Sequence, residues 1–447
     1  MILDSKDLLD GDVTTLDDLF RRAGVRHADA MALVDAPNRA QAAGGAPRAL
    51  TYSAADRAIS ALSARLRGLG LATDAQIAIQ LPNTVESVIA LLGVLRAGML
   101  PVPVPLLWRR QEMVTALGRV GVKAIVTCAH AGATAQADIA VAAAAELFPV
   151  RHVLGFGDNL PDGVVPLDDI FGAVPRDATP APRRIGNPAV HAAVATFDVT
   201  TEGPQPILRN HRELIDTARD IVRDSALAAD ARLLSTIPAG SYAGLSLALV
   251  PWLLTGGTLA LHHGFDAVTF ARQAHGQDVI VLPGPMVAPL SDARCLDGDT
   301  AVVALWRSPE PYAAAAAWTG RAPLVDVETA GEAMLMARRR AGDGMPVRPP
   351  GDLIRQGGIV RSGGYSFIQA EIEAAVAAAD PQAVIVALPD ALLGLRHAGH
   401  AADNAAVRTE LEARGVNALV AAAFPQPKPV NRAQSTVAVD VLLRAAG

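Results

Sequence analysis

The chain has 447 residues, of which 51% are hydrophobic and 19% charged, so it is long enough for roughly two to four packed domains and too apolar to be disordered. Its formal charge is −6, with acidic and basic residues interleaved, which excludes the broad positive surface that nucleic-acid binding requires. Cys128 and Cys295 have no paired spacing, which argues against a disulfide framework or a zinc site and favours a reducing compartment.

Neither the N-terminal stretch nor the longest apolar stretch predicts a membrane element. MILDSKDLLDGDVTTLDDLF (1–20) is rich in aspartate and lacks a basic segment followed by an apolar core, so we expect no signal peptide and a cytoplasmic protein. YAGLSLALVPWLLTGGTLAL (242–261) has the length of a membrane span, but Pro251, Gly256 and Gly257 divide it into a helix, a turn and a strand.

Helix and strand patterns alternate along most of the chain. LTYSAADRAISALSARLRGLGL (50–71) predicts a helix that starts near Ser53, AQIAIQLP (75–82) a buried strand, and VESVIALLGVLRAG (85–98) a second helix. Further apolar runs are KAIVTC, RHVLGF, AVHAAVATF, RLLSTIP, GTLALHH, DVIVLPG, TAVVALW and PLVDVE. Such strands separated by helices predict an α/β fold with parallel sheets covered on both faces.

Two proline- and glycine-rich stretches predict boundaries in this pattern. Residues 160–188 are expected to join two subdomains of a large N-terminal domain built from stacked, mostly parallel sheets. AGDGMPVRPPGDLIRQGG (341–358) is a second break, followed by a shorter mixture of helix and strand. We therefore predict an N-terminal domain over 1–358 and a small α+β C-terminal domain over 359–447.

Three stretches of the chain resemble the adenylate-forming superfamily of acyl- and aryl-CoA synthetases, luciferases and peptide-synthetase adenylation domains. They are residues 50–104, which contain LTY, LPN and LRAG, residues 234–290, and residues 359–394, which contain SGGY. The resemblance implies an enzyme history in which a carboxylate reacts with ATP, pyrophosphate leaves, and the acyl group passes to a thiol such as CoA. It implies ATP or AMP with Mg²⁺ and CoA as cofactors, and a small carboxylate or acyl-CoA as ligand.

The family's phosphate loop, TSGTTGxPKG, is matched here by residues 197–205. Thr200 and Thr201 keep the family residue types, whereas Val199 and Glu202 replace glycines and Gln205 replaces the lysine. Glycines permit the positive φ that points successive N–H groups at phosphate oxygens, and lysine supplies charge, so these replacements oppose phosphate binding. The alternative interpretation is a polar connection between a strand and a helix that begins near His211.

Two further nucleotide motifs leave only remnants. The family's YGxTE corresponds to VDVET (325–329), in which Glu328 and Thr329 stand in reversed order, and a shift of one residue turns a strand side chain to the opposite face. The resemblance makes Asp352 of GDLIR a candidate ribose ligand. The family's next subdomain is shortened here near 332–358, so the same residues are also compatible with a junction left by a deletion.

The C-terminal motifs are mixed. The hinge residue is replaced within Gln356-Gly357-Gly358, and the catalytic lysine has no clear counterpart, since Lys428 matches a different lysine and Arg432 is a poor substitute. Ser362, Gly363, Gly364 and Tyr365 match the loop that lines the pantetheine tunnel in CoA-using relatives. They are equally compatible with a glycine turn before the helix QAEIEAAVAAA.

The sequence therefore favours a degenerate ligase-like protein that is weak or inactive in ATP-dependent activation and keeps an acyl- or CoA-sized cleft. One alternative is a working carboxylate–CoA or carboxylate–carrier ligase in which Arg209 or Arg355 replaces the lost lysine. Another is a non-catalytic regulatory subunit that docks a protein partner, and a homo-oligomer is also compatible. No metal site is predicted, because the ten histidines form neither HExxH nor a ligand set with the cysteines.

Overall fold

The structure is a computed structural model that describes residues 14–172, 185–307, 318–340, 358–362, 364–390 and 394–425, and every structural feature below belongs to those residues. The strands are β1 (Met31–Asp35), β2 (Ala49–Thr51), β3 (Gln76–Ile79), β4 (Leu100–Pro103), β5 (Ala124–Cys128), β6 (His130–Ala131), β7 (Thr134–Ala135), β8 (His152–Phe156), β9 (Val164–Pro166), β10 (Ala192–Thr200), β11 (Gly203–Asn210), β12 (Arg232–Ser235), β13 (Thr258–Leu261), β14 (Val279–Pro283), β15 (Ala301–Arg307), β16 (Leu324–Ala330), β17 (Met334–Arg339), β18 (Ile359–Ser362), β19 (Tyr365–Ile368), β20 (Val384–Asp390) and β21 (Gly394–His400).

The α-helices are α1 (Leu16–Arg26), α2 (Arg39–Ala43), α3 (Tyr52–Gly68), α4 (Val85–Arg96), α5 (Arg110–Val120), α6 (Gln136–Glu146), α7 (His211–Asp224), α8 (Tyr242–Gly244), α9 (Val250–Thr255), α10 (Ala267–Ala274), α11 (Val287–Asp292), α12 (Gln369–Ala379), α13 (Asn404–Ala413) and α14 (Ala418–Ala421). A π-helical turn, Leu245–Leu249, joins α8 to α9. The predicted helix near Ser53 begins one residue earlier, where the Thr51 hydroxyl accepts a hydrogen bond from the Ala54 N–H.

Two parallel sheets organise the large part of the chain. The first has five strands in the order β4-β3-β5-β8-β9, all parallel to their neighbours. The second has eight strands in the order β17-β16-β15-β14-β12-β13-β1-β2, in which only the edge strands β2 and β17 are antiparallel to their neighbours. The predicted mostly parallel sheets are therefore confirmed.

The largest apolar core lies between the two sheets. It joins Ile77 and Val126 of the five-stranded sheet to Leu33 and Leu233 of the eight-stranded sheet. Helix α4 is apolar around most of its circumference because it is buried in this layer. Separate cores under α5 and α6, and under α10 and α11, cover the outer faces of the two sheets. The sheets are thus covered on both sides, as the continuous apolar strands predict.

The uncharged segment 242–261 is part of the interior. It forms α8, the π-helical turn, α9 and then β13, and Gly256, at φ 72°, ends α9 in the left-handed conformation. Among the residues that the structure describes, no helix has the length and apolar character needed to cross a membrane.

Residues 364–425 carry their own apolar core. Phe367, Val376, Leu411 and Phe424 pack together in a cluster that has no member from the large part of the chain. The hairpins β18–β19 and β20–β21 and the helices α12 to α14 surround it, which is an α+β arrangement. The predicted boundaries near 160–188 and at 358 stay predictions, since residues 173–184 and 341–357 lie outside the described part of the chain.

Candidate functional site

A cavity of about 880 Å³ opens where the carboxyl ends of the two parallel sheets meet. Its walls come from the connections that follow β3, β4, β12, β13, β14, β15 and β16. Apolar lining residues include Leu106, Trp108, Phe197, Ile237 and Pro238. Crevices outside the carboxyl ends of parallel strands are where open α/β folds bind their ligands, and this volume is within the usual range for small-molecule sites.

The β18–β19 hairpin adds a further wall to the cavity. Arg361, Gly364, Tyr365 and Ser366 line it, and burial raises the pKa of the Tyr365 hydroxyl. Gly364 has φ +80°, and a Cβ there would come 3.0 Å from an Arg307 Nη1, so both conformation and space favour glycine. Gly364 and Tyr365 therefore lie where a ligand-lining loop belongs, while Ser362 is buried outside the lining and Gly363 is outside the described residues.

The segment matched to the phosphate loop is a tight β-hairpin. Strands β10 and β11 stay paired from Val194–Arg209 to Thr200–Gly203, and only Thr201 and Glu202 form the turn. Helix α7 begins at His211, as the alternative interpretation predicted, while the polar residues before it continue the pairing of β10 with β11 instead of forming an irregular connection.

Two N–H groups of this hairpin are already occupied by neighbouring side chains. The Val199 N–H donates to the Asp198 carboxylate at 3.1 Å, and the Glu202 N–H donates to the Thr200 hydroxyl at 3.2 Å. Arg119 in turn donates to the Glu202 carbonyl. These two N–H groups are thus not available to a phosphate, as they would be in a phosphate cradle.

The remaining motif residues separate into lining and non-lining positions. Thr329 lines the cavity, whereas Glu328, one residue earlier on β16, pairs with Met336 and Trp306 and is not among the lining residues. Thr200, Thr201 and Gln205 also do not line it, although Gln205 lies directly opposite the lining residue Asp198. Five candidate residues lie outside the described part of the chain: Asp352, Arg355, Gly363, Lys428 and Arg432.

Arg209, proposed above as a substitute for the lost lysine, makes its contacts with other protein groups. Its guanidinium carbon lies 3.6 Å from the centre of the Tyr242 ring, and its Nη2 donates to the Glu332 carbonyl at 2.5 Å and to the Ala333 carbonyl at 3.0 Å. It is also not a lining residue. The expectation that Arg209 replaces a phosphate-binding lysine is therefore not supported by this geometry.

Charged residues of both signs line the cavity, and of these only Asp198 lies within the stretch matched to the phosphate loop. Asp198, Asp266 and Glu332 are acidic, and burial raises the pKa of Glu332, whose carboxyl accepts a hydrogen bond from the Tyr242 N–H at 2.7 Å. Arg307 ends β15, and Arg361 belongs to β18, where burial lowers its pKa. The local sequence around these residues does not predict that β15, β16 and β18 bring them to one cavity.

The long connection between β1 and β2 forms another wall. Asn38, Gln41 and Ala42 line the cavity, the Asn38 amide donates to the Gly264 carbonyl at 3.2 Å, and the Ala42 carbonyl accepts from the Gly132 N–H at 2.7 Å. A hairpin connection normally has two to five residues, and this longer one contains helix α2. Helix α2 is held between loops of the two parallel sheets.

Residues 20–291, more than half of the chain, match the family model described as AMP-binding enzyme. The chain belongs to this family. Among curated relatives, salicyl-AMP ligase / salicyl-S-ArCP synthetase of Mycobacterium tuberculosis is 26% identical over 284 residues, covering 63% of this chain and 48% of that protein. Triostin synthetase I of Streptomyces triostinicus is 29% identical over 255 residues, covering 55% and 43%. The matched part spans about half the length, or less, of these relatives.

Solved structures of similar fold cover nearly all of this family member. The apo structure of Mycobacterium smegmatis MbtA superposes with a TM-score of 0.61 at 21% identity, covering 91% of this chain and 89% of that one. The ATP-bound RpMatB-BxBclM chimera B3 gives 0.58 at 17% identity, covering 89% and 92%. At this identity the likeness establishes the fold. Within the described ranges, no group of three or more His, Cys, Asp or Glu side chains is placed to hold a metal ion.

Proposed function

We propose that this protein is a degenerate adenylate-forming family member that binds an acyl- or CoA-bearing ligand in the cavity and activates carboxylates with ATP weakly or not at all. The observation that carries the proposal is the closed β10–β11 hairpin. Its Val199 and Glu202 N–H groups are bonded to side chains of the hairpin itself, so they are not available to phosphate oxygens.

The charge of the cavity supports the same conclusion. The carboxylate of Asp198 lies on the wall formed by the hairpin, and Glu332 lies on the wall that follows β16. A negative charge about 4 Å from another is repelled by roughly 1–4 kcal/mol, depending on the local dielectric, so a triphosphate is disfavoured beside the hairpin. The residues of the hairpin therefore do not fit the ATP phosphates that the family implies.

Ligand binding without activation is supported by the cations that line the cavity. Arg307 and Arg361 offer positive charge to a carboxylate or to a phosphate of CoA, with Arg361 also interacting with the charge of Asp198, and Gly364 and Tyr365 line the same cavity. These four residues are contributed by two separately cored parts of the chain, so a bound ligand would touch both.

Thermal-shift titration with CoA, AMP and ATP·Mg tests the proposal, together with ATP–pyrophosphate exchange over a panel of carboxylic acids. A ligand that binds only the folded state raises the midpoint of unfolding, so we expect a shift with CoA, none with ATP·Mg, and no exchange. Robust exchange would support the working ligase instead, and the absence of any shift would support a regulatory subunit.

A matched pair of variants ties the shift to the cavity. Arg361→Met is expected to reduce the CoA-induced shift because it removes a lining cation. Arg396→Met, on β21 of the same C-terminal part and outside the lining, is expected to leave it unchanged. Equal effects of the two changes would contradict binding in this cavity.

A further inference from the structure

One wall of the cavity presents a neutral hydrogen-bond donor that the family motifs do not use. His263 follows β13 and lines the cavity beside Phe265 and the wall formed by α2. In the eight-stranded sheet β13 lies three positions from β15, which carries Arg307. Neighbouring strands are about 4.8 Å apart, so the strand ends that carry His263 and Arg307 are separated by roughly 14 Å across the sheet.

The protonation of the His263 ring is fixed by its neighbour Asn83. The Asn83 backbone N–H points at His263 Nδ1, 3.3 Å away. A backbone N–H only donates, so Nδ1 must carry a lone pair and the proton of the neutral ring must sit on Nε2. Asn83 is itself held by two hydrogen bonds from its Nδ2, to the Ser235 carbonyl at 2.9 Å and to the His262 carbonyl at 3.2 Å.

The ring stays neutral near pH 7. Burial, followed by the charge of His262, lowers the pKa of His263 to about 4. Within the described part of the chain, the Nε2–H donates to no protein group, and the atom is not among the enclosed polar atoms that lack a partner. The donor is therefore accessible from the cavity that the residue lines.

The wall next to His263 is held in place by side-chain contacts. Helix α2 is anchored by Arg39, whose Nη2 lies 2.6 Å from Glu86 Oε1 and whose Nε lies 3.1 Å from Asp35 Oδ2. The Asn38 amide bonds the carbonyl of Gly264, the residue that follows His263. The donor and the surface facing it are thus held in a fixed relation.

We propose that this end of the cavity is a subsite for a neutral acceptor oxygen, a hydroxyl or oxo group, on the distal part of the ligand's acyl chain, with His263 Nε2–H as the donor. The inference rests on the proposed function, because it takes the ligand to be an acyl compound whose anionic end lies toward Arg307 and Arg361. A donor in a partly desolvated site discriminates against a ligand that leaves it unpaired.

Isothermal titration with dodecanoic acid and 12-hydroxydodecanoic acid tests the subsite in the full chain. We expect the hydroxylated acid to bind roughly 2- to 10-fold more tightly, the range for one neutral hydrogen bond. His263→Phe should abolish this preference while still binding dodecanoic acid, and His263→Gln should restore part of it. His275→Phe, at an exposed histidine after α10, should leave the preference intact.

The binding results distinguish failure of the His263 subsite from failure of the proposed function. Equal affinity for the two acids, or a preference that survives in His263→Phe, overturns the subsite alone. Binding of CoA without binding of either acid also overturns it alone. Failure of both acids and of CoA to bind overturns the proposed function together with the subsite.

Discussion

Asp35 shows how one buried carboxyl organises a wall of the cavity. It is 3% exposed, accepts hydrogen bonds from the N–H groups of Val85 at 2.8 Å and Arg48 at 3.0 Å, and lies beside Arg39. These contacts tie the start of α4 to the connection that carries α2. Burial and the nearby charge of Glu86 raise the pKa of Asp35 from 3.8 to about 6.

This raised pKa predicts an unusual pH dependence at Asp35. Between pH about 4 and 6 the folded state holds the proton more tightly than the unfolded state, so the contribution of Asp35 to stability falls as pH rises through this window. The free energy of unfolding of the wild type, minus that of Asp35→Asn, should decrease by up to roughly 3 kcal/mol from pH 4 to pH 7. Urea unfolding at each pH measures it, with the exposed Asp158→Asn as control. A difference independent of pH would refute this coupling.

Glycine at position 257 is predicted to be required by close packing. A Cβ there would lie 2.0 Å from the Ala231 carbonyl oxygen, and the Gly257 carbonyl accepts hydrogen bonds from Tyr52 at 2.8 Å and Trp252 at 2.9 Å. Gly257→Ala should lower the free energy of unfolding by about 3 kcal/mol or more. Gly24→Ala, inside α1 with nothing within 4 Å, should instead raise it by about 0.5–1 kcal/mol. Chemical denaturation compares the two, and equal effects would contradict the packing explanation.

At the scale of elements, the hairpin β10–β11 decides what the cavity can bind. Asp198 and Gln205 are directly opposite in the antiparallel register, and such cross-strand partners share a face of the ribbon. The residues that replace the loop glycines and lysine, Val199, Glu202 and Gln205, belong to the hairpin and its turn. The preceding Asp198 adds a carboxylate that lines the cavity.

Removing that carboxylate should change nucleotide binding measurably. Asp198→Asn deletes one charge at the cavity wall, so we expect AMP to bind at least about fivefold more tightly, corresponding to the lower end of the repulsion at about 1 kcal/mol. Glu202→Gln removes a charge from the exposed turn, outside the lining, and should have no comparable effect. Titration calorimetry distinguishes the variants. An unchanged AMP affinity in Asp198→Asn would show that the charge is not what opposes the nucleotide.

The sequence predicted the elements better than their contacts. Continuous apolar strands such as β5 and β14 identify parallel sheets, because both faces of such strands must be covered. The hairpin at 200–203 was missed because its polar residues have no alternating apolar pattern, and its pairing is set by neighbours along the strands. His263 and Glu332 were missed because each becomes a site residue only when distant strands meet at one edge.

At the scale of the whole molecule, a small set of contacts joins the C-terminal part to α5. Asn417 Nδ2 donates to Glu112 Oε1 at 2.6 Å, Arg110 Nη2 donates to the Arg414 carbonyl at 3.2 Å, and the Gln111 N–H donates to the Gly415 carbonyl at 3.4 Å. Burial raises the pKa of Glu112 to about 7. Partners some 300 residues apart leave no local signal, so this docking could not be predicted from sequence.

Asn417→Asp should loosen this docking, and more so at high pH. The substituted carboxylate keeps the acceptor that caps α14 but faces Glu112, which is ionised above its pKa of about 7. We expect a loss of stability of about 2 kcal/mol at pH 8 and a smaller one at pH 6. Hydrogen exchange at 110–112 and 414–417 provides the measurement. Asn404→Asp, at the start of α13, is the control, and an equal response there would contradict a specific Glu112 contact.

The cavity wall also contains a tryptophan that can report ligand binding by fluorescence. Of the four tryptophans in the chain, Trp108 lines the cavity 5.6 Å from Phe197, while Trp252 and Trp306 are almost wholly enclosed elsewhere. Trp108 is 6% exposed, so a ligand in the cavity changes the surroundings of this indole mainly by contact with the wall, and Trp252 and Trp306 stay enclosed. The intensity or wavelength of intrinsic emission should therefore change on binding and lose that response in Trp108→Phe, which would allow ligands to be screened without a label.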